Sequence, residues 1–418
     1  MKQKLKEYKG ITLIALIITI IVLLILAVVA ISVVNGNGIL NHAQNSKIEY
    51  SQAQTNEQAT LDGYLEKLNT ESAKINGGGS GAKTLKDSLN KVLSTKDNTP
   101  LTDEYENKIT VPAGFKILVD DTTNYTADNI NVTKGIVVED GEGNQFVWIP
   151  VGTIYTNTEK TESKIITLGR YEKFTKNEDG TYTVAQDANE ATNQTKVGII
   201  YTEDTTANHG SKKNAIAKNI EEFCTKANSS GGYYIARYEA RVENYDVSNI
   251  STSNSDKSTD WTGYVAESGK SLKLVSKANS QVWNYVTQNK ASSLCQSMYT
   301  NKPYESDLVN SYAWDTAIIF FQEFGGNSTY ASERSVNRGL ENTGTSGTSY
   351  NGTKDVICNV YDMAINCGEW STETCGDDDA YNLRGGHYYD NHYYAGTRYG
   401  GSASLIFDFY SFRPLLYM

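Results

Sequence analysis

The densest run of chemically capable side chains lies near the end of the chain, where residues 387–411 read HYYDNHYYAGTRYGGSASLIFDFYS. Six tyrosines, two histidines, two aspartates, one asparagine and one arginine fall within these 25 residues. Tyrosine offers a rigid aromatic face and a hydroxyl at low conformational cost, and Asp, Asn and Arg add orientation; together they suit a contact surface. A Tyr-rich core strand is the competing reading, but His, Asp and Asn interleaved with Tyr are costly to bury without partners. The residues expected to touch ligand are His387, Tyr388, Tyr389, Asp390, Asn391, His392, Tyr393, Tyr394, Arg398 and Tyr399, joined by Phe407, Asp408 and Tyr410. The chain as a whole carries 29 tyrosines, which supports the same reading.

Other chemistry is thinly represented. The sequence holds no Ser/His/Asp set, no HExxH and no phosphate-binding loop, so catalysis is not expected. Five cysteines (Cys224, Cys295, Cys358, Cys367, Cys375) form no CxxC, and the four histidines are not spaced with them, which argues for buried thiols over zinc. No cofactor is expected; calcium could be ligated at Asp377-Asp378-Asp379, but adjacent carboxylates rarely converge on one ion and an acidic surface loop is the usual explanation of that run. The formal charge of −11 argues against nucleic acid as a partner, because phosphate contacts need Lys/Arg clusters.

The elements that would present the Tyr-rich segment begin at the other end. Residues 11–34 contain no charge, Pro or Gly across 24 positions. Roughly 20 apolar residues cross a bilayer core, so a single membrane helix is expected there. The preceding ten residues carry Lys2, Lys4, Lys6 and Lys9 against Glu7, which should keep the N-terminus cytoplasmic and place the rest outside. Residues 35–76 read as a stalk helix, with Leu61, Tyr64, Leu65 and Leu68 on one face. A Gly-rich linker and a short amphipathic helix (Leu85, Leu89, Val92, Leu93) fill residues 77–100, and residues 101–418 form the head.

The basic leader followed by Lys9-Gly10 and Ile11-Thr12-Leu13-Ile14 resembles the type IV pilin and pseudopilin family. That resemblance implies a prepilin peptidase cutting between Gly10 and Ile11, and apolar helices packing with those of other pilin-like subunits. The family carries Glu as the fifth residue after the cut; this chain has Ala15.

In the head, a hairpin is predicted from residues 136–138 and 146–149 around the turn cluster at 140–144, a helix over 215–226, a strand over 233–238, and helices over 281–298 and 313–324. Residues 244–262 read as a polar loop. Short strands, few helices and long loops give an α+β class. Five landmarks follow in order: FVWIPVG from Phe146, YIARYEA from Tyr234, NVYDMAIN with GEW from Asn359 to Trp370, NLRGG from Asn382, and SFRP ending at Pro414. In that order they resemble the formylglycine-generating-enzyme-like (sulfatase-modifying-factor) branch of the C-type-lectin-like fold. The family's oxidase chemistry uses a cysteine pair between the RGG and FR landmarks, and residues 387–412 contain no cysteine. Trp148 and Trp370 are expected in the core, Asn366, Glu369 and Arg384 as polar scaffold, and Arg413 against a buried carboxylate. The segment between Arg384 and Arg413 also resembles the variable region of proteins diversified by retroelements, whose mutagenesis at AAY codons yields Asn, Tyr, Asp, His and Ser.

These readings converge on a pilin-like, cell-surface binding protein, an adhesin or receptor anchored by residues 11–34, whose lectin-like head takes a protein or glycan ligand. A structural minor pseudopilin of a secretion or DNA-uptake system, and an enzyme on the same fold without the cysteine pair, are the alternatives.

Overall fold

The computed structural model describes residues 84–171, 173–183, 218–253, 260–334, 354–374 and 380–418. The cleavage site at Gly10 and Ile11, the apolar run 11–34, the stalk, Cys375 and Asp377-Asp378-Asp379 lie outside the described residues. Among the described residues no helix is long and apolar enough to cross a membrane. They belong to a compact unit, Ala82–Met418. Its class is α+β: many short strands in small sheets, with few helices.

Two sheets organise it. Their strands, in chain order, are β1 (Lys116–Ile117), β2 (Val137–Glu139), β3 (Gln145–Pro150), β4 (Gly232–Ala236), β5 (Glu305–Leu308), β6 (Gly368–Thr374), β7 (Ala380–Arg384), β8 (Arg398–Ser402), β9 (Tyr410–Phe412) and β10 (Pro414–Tyr417). The first sheet is antiparallel throughout, in the order β5-β10-β4-β3-β2-β1. The second runs β8-β7-β6-β9; the pairs β8/β7 and β7/β6 are antiparallel, and β9 lies parallel to β6 with Trp370 opposite Phe412. Only Arg413 separates β9 from β10, so the chain passes from one sheet to the other at that residue.

The predicted hairpin is β2–β3, with Asp140 Oδ1 accepting from the amides of Glu142 and Asn144 to close the turn. Three α-helices are described: α1 (Ile220–Ser230), α2 (Gln288–Ser297) and α3 (Ser311–Phe324). Asn219 and Asn310 cap α1 and α3 by accepting from the amides of Glu222 and Ala313, as orphan N-terminal donors require. Helix α3 is buried nearly all round, its polar Ser311, Asp315 and Thr316 included, as a central helix is. It lies in the larger core with Trp148, Tyr233, Tyr234 and Trp314; a second core gathers Trp283, Trp370, Leu383 and Phe412.

Three local expectations are corrected. The helix predicted over 281–298 begins only at Gln288; Gln281–Val282 is instead a strand on Arg241–Glu243, and the Trp283 amide donates to the Ala240 carbonyl. The β-rich Val282-Trp283 pair is taken up by tertiary pairing before a helix can start. The short amphipathic helix after the linker is reduced to a 3-10 turn at Lys86–Ser88, with Leu85 buried and Val92 46% exposed. Pro100 then sits in the strand Thr99–Thr102, which pairs with Lys108–Val111 in a two-stranded sheet and is bridged at Thr102 by Thr84; Pro100 lies at an edge position that tolerates a missing donor. Within the polar loop at 244–262, Tyr245–Ile250 is a strand paired with Tyr264–Ala266.

Candidate functional site

The segment between Arg384 and Arg413 is positioned by buried charge. Arg384, at the end of β7, donates to Ser311 Oγ at 2.9 Å and pairs with Asp315 Oδ1 at 2.5 Å, both on α3. Arg398, at the start of β8, pairs with the other Asp315 oxygen and with Glu373 on β6, at 3.2 Å. These side chains are completely buried. Arg384 Nε also donates to the carbonyl of Thr397, tying the far end of the loop to its beginning. Gly385 adopts a φ of +81°, and a Cβ on Gly386 would stand 2.0 Å from the Ala364 carbonyl oxygen. Both glycines are required where the loop crosses the 363–364 backbone.

A second buried network supports the opposite end. Arg413 donates through Nε to Glu369 Oε2 at 2.9 Å, and its remaining nitrogens reach the carbonyls of Ala236 and Tyr361. Glu239 accepts from Asn366 Nδ2 at 2.6 Å and from the Cys367 amide at 2.9 Å. Burial, and then the neighbouring Glu369 charge, push the Glu239 carboxyl well above its ordinary range. Asn366, Glu369 and Arg384 are thus scaffold residues and Arg413 meets a buried carboxylate, as their types suggested; Trp148 and Trp370 are both fully buried.

On this frame the Tyr-rich segment builds an aromatic face around Phe409. Its ring stacks on Tyr389 (4.9 Å, 13°) and on Phe407 (4.8 Å, 18°), lies 4.8 Å from His387, and meets Tyr410 edge-on at 4.9 Å. Tyr410 in turn packs edge-on against Trp370 of the core at 5.3 Å. A continuous ladder therefore runs from buried Trp370 through Tyr410 and Phe409 to Tyr389, which is 59% exposed. His387 and Tyr393 lie 4.9 Å apart, and Tyr393 and Tyr399 4.3 Å. The Tyr388 hydroxyl donates to Asp408, and burial followed by that hydrogen bond raises its pKa.

Eight of the predicted contact residues thus come together: His387, Tyr388, Tyr389, Tyr393, Tyr399, Phe407, Asp408 and Tyr410. They differ in accessibility. His387 is 3% exposed and accepts from the Asp390 amide through Nδ1 at 3.2 Å; burial pushes its pKa down to about 4, against the opposing pull of Asp390 and Asp408. Tyr410 is buried, and the Tyr399 hydroxyl is buried against Gly368 without a hydrogen-bond partner. Asp390, Asn391 and His392 form a polar rim in which the His392 ring and amide both engage Asp390. Tyr394 turns away from the face and stacks under the Arg334 guanidinium at 5.5 Å. Arg398 is corrected outright: it is 1% exposed and belongs to the ionic scaffold, not to a contact surface.

Phe409, the hub of the face, was missing from the predicted set. The signal was its position: Phe409 lies inside the predicted run Phe407, Asp408 and Tyr410, in the turn closed by the Tyr410 amide on the Phe407 carbonyl. Among the described residues no group of three His, Cys, Asp or Glu side chains is placed to hold a metal ion. The thiols of Cys224, Cys295, Cys358 and Cys367 are free, the last three of them buried.

No protein-family model and no curated protein matches the chain. Two solved structures are similar in part. The structure of PvdO from Pseudomonas aeruginosa is 10% identical over 68% of this chain and 98% of that chain, with a TM-score of 0.32. The crystal structure of CarF is 15% identical over 44% of this chain and 86% of that chain, with a TM-score of 0.23.

Proposed function

We propose that this chain is a cell-surface binding protein, held by a pilin-like N-terminal helix, whose head takes a protein or glycan ligand on the Phe409 aromatic face. The observation that carries the reading is the ladder from Trp370 to Tyr389: a stacked aromatic surface, rooted in the core and open at its tip. Rigid aromatic anchors ringed by polar side chains are the anatomy of binding hot spots. The reading assigns the head to the formylglycine-generating-enzyme-like branch of the C-type-lectin-like fold on its five ordered landmarks. It assigns residues 1–34 to a prepilin leader and membrane anchor, cut after Gly10 by a prepilin peptidase. It treats the head as non-catalytic, since the segment 387–412 lacks the cysteines of the family's oxidase. The exposed positions between Arg384 and Arg413 would be the diversified ones, on a scaffold that must stay fixed.

Binding is tested by replacing Tyr388, Tyr389 and Tyr393 with Ala and screening glycan and surface-protein arrays beside the parent chain. Loss of every specific signal is expected, with a cooperative melting transition lowered by no more than the lost stacking and hydrogen-bond contacts; normal binding by the variant would remove this face. Diversification is tested by deep sequencing of codons 382–413 across sister isolates. Substitutions confined to exposed positions, with Arg384, Gly385, Gly386, Arg398 and Arg413 fixed, are expected; one invariant sequence would remove the retroelement claim.

A further inference from the structure

A second concave surface lies behind Tyr394, separate from the Phe409 face. It is an open cleft of about 810 Å³, walled by the segment carrying Lys173, Phe174 and Lys176, by Lys164, by the C-terminal end of α3, and by Tyr394, Gly396 and Thr397. Its volume falls in the range of small-molecule sites, roughly 300–1,000 Å³. The loop wall is fixed: the amides of Ala395 and Gly396 donate to the carbonyls of Glu333 and Ala331, and Gly396 packs so closely on Phe174 that a Cβ there would stand 2.9 Å from its ring.

Its charge is opposite to that of the chain. Three ammonium groups, Lys164, Lys173 and Lys176, line the cleft against the carboxylate of Glu323, in a protein with a formal charge of −11. Glu323 occupies two of them, accepting Lys176 at 2.6 Å and Lys164 at 3.2 Å. Although burial raises its pKa, hydrogen bonds from Lys176, Tyr182 and Lys164 together outweigh that and hold the carboxyl below its ordinary value. Lys173 stands exposed beside the half-buried Phe174 ring. Asp179 lies in an adjoining recess that Lys173 does not line. A cationic end, flanked by the rings of Phe174 and Tyr394 and by the hydroxyls of Ser328, Thr329 and Ser332, matches a ligand with an anionic group, apolar ring faces and many hydroxyls.

We infer that this cleft binds acidic saccharides, with the sugar carboxylate at Lys173 and the ring against Phe174 and Tyr394. The site does not depend on the Phe409 face being a binding surface. The test titrates the purified full-length chain with di-galacturonic acid and with its methyl ester, which has the same shape without the charge, by calorimetry. The acid should bind at least about ten-fold more tightly than the ester, and Lys173→Ala should weaken the acid by about ten-fold, the worth of one charge-assisted contact. Tyr389→Ala should leave this affinity unchanged. No binding of the acid, equal binding of acid and ester, indifference to Lys173→Ala, or loss of the acid with Tyr389→Ala would each overturn the assignment. The first three outcomes leave the aromatic face untouched, whereas loss of the acid with Tyr389→Ala would move the saccharide to that face.

Discussion

Asp315 and Arg398 meet as a fully buried ion pair across 83 residues of chain. The same carboxylate holds Arg384 on its other oxygen, so one acid on the central helix fixes both edges of the loop that carries the aromatic face. Removing a partner from a buried pair leaves an uncompensated charge and costs about 3–5 kcal/mol. Asp315→Ala is therefore expected to lose at least that much in urea unfolding, with two guanidinium groups left behind. A loss under about 1 kcal/mol would mean that the network does not support the loop.

His387 gives the face a pH dependence. Its pKa falls from an ordinary value near 6.5 to about 4 in the folded protein, chiefly because it is buried. The unfolded chain then binds more protons than the folded one between those values, so stability is full above about 6.5 and is lost as pH falls toward 4. His387→Phe keeps the stack and removes the titration. The drop in unfolding free energy between pH 7 and pH 4.5 should be smaller in the variant by roughly 2–3 kcal/mol. Equal slopes for the two proteins would contradict the burial of a neutral ring.

Tyr389 and Phe409 occupy successive rungs of one ladder yet should separate stability from binding. Tyr389 is exposed, so Tyr389→Ala should cost no more than the stacking contribution, about 0.5–1.5 kcal/mol. Phe409→Ala removes the ring against which Tyr389, Phe407 and His387 all pack, and should cost about 2–4 kcal/mol as the face collapses. Melting transitions of the two variants, read beside array binding, check this. Equal destabilisation by both would show that the rungs are not ordered as described.

How much of this was legible in the sequence depended on how local the partner was. The β2–β3 hairpin was readable because its turn residues bond within a few positions of themselves. The buried role of Arg413 was readable from an arginine framed by apolar residues at the end of the chain. Arg398 was misread for the opposite reason. Among tyrosines and histidines an arginine looks like a ligand contact, and nothing nearby reveals its partner, an aspartate on a buried helix 83 residues earlier. Asp315 was itself a signal that could have been used: a carboxylate in a helix that also carries Trp314, Ala317, Ile318 and Ile319 demands a cation from elsewhere in the fold. The strand at Gln281–Val282 was lost to the same cause, since its pairing with Arg241–Glu243 is tertiary.

Gly386 provides a test of the loop's path. Its φ is not in the left-handed region, so the glycine is needed for space: a Cβ would stand 2.0 Å from the Ala364 carbonyl oxygen and 3.1 Å from that of Tyr393. Both contacts are backbone and cannot rotate away. Gly386→Ala should destabilise by about 1–3 kcal/mol, the usual cost of local backbone strain, and should shift the amide resonances of residues 363–366. A variant as stable as the parent would place the loop elsewhere.

Arg413 is the point where the two sheets become one structure. It lies between β9 and β10, pairs with Glu369 on β6, and donates to the carbonyl of Ala236 at the end of β4. No shorter side chain reaches both sheets, and only a planar guanidinium can engage the carboxylate with two nitrogens while donating to two carbonyls. Arg413→Met should cost about 3–5 kcal/mol, because Glu369 remains buried without its partner. Arg413→Lys restores the charge but not the fork, and should recover only part of that. The sharper readout is hydrogen exchange: if Arg413 couples the sheets, the amides of β4 and β6 should lose protection together in the Met variant. Loss confined to β6 would show that the pair with Glu369 is a local bond and that the two sheets are held together by their apolar faces alone.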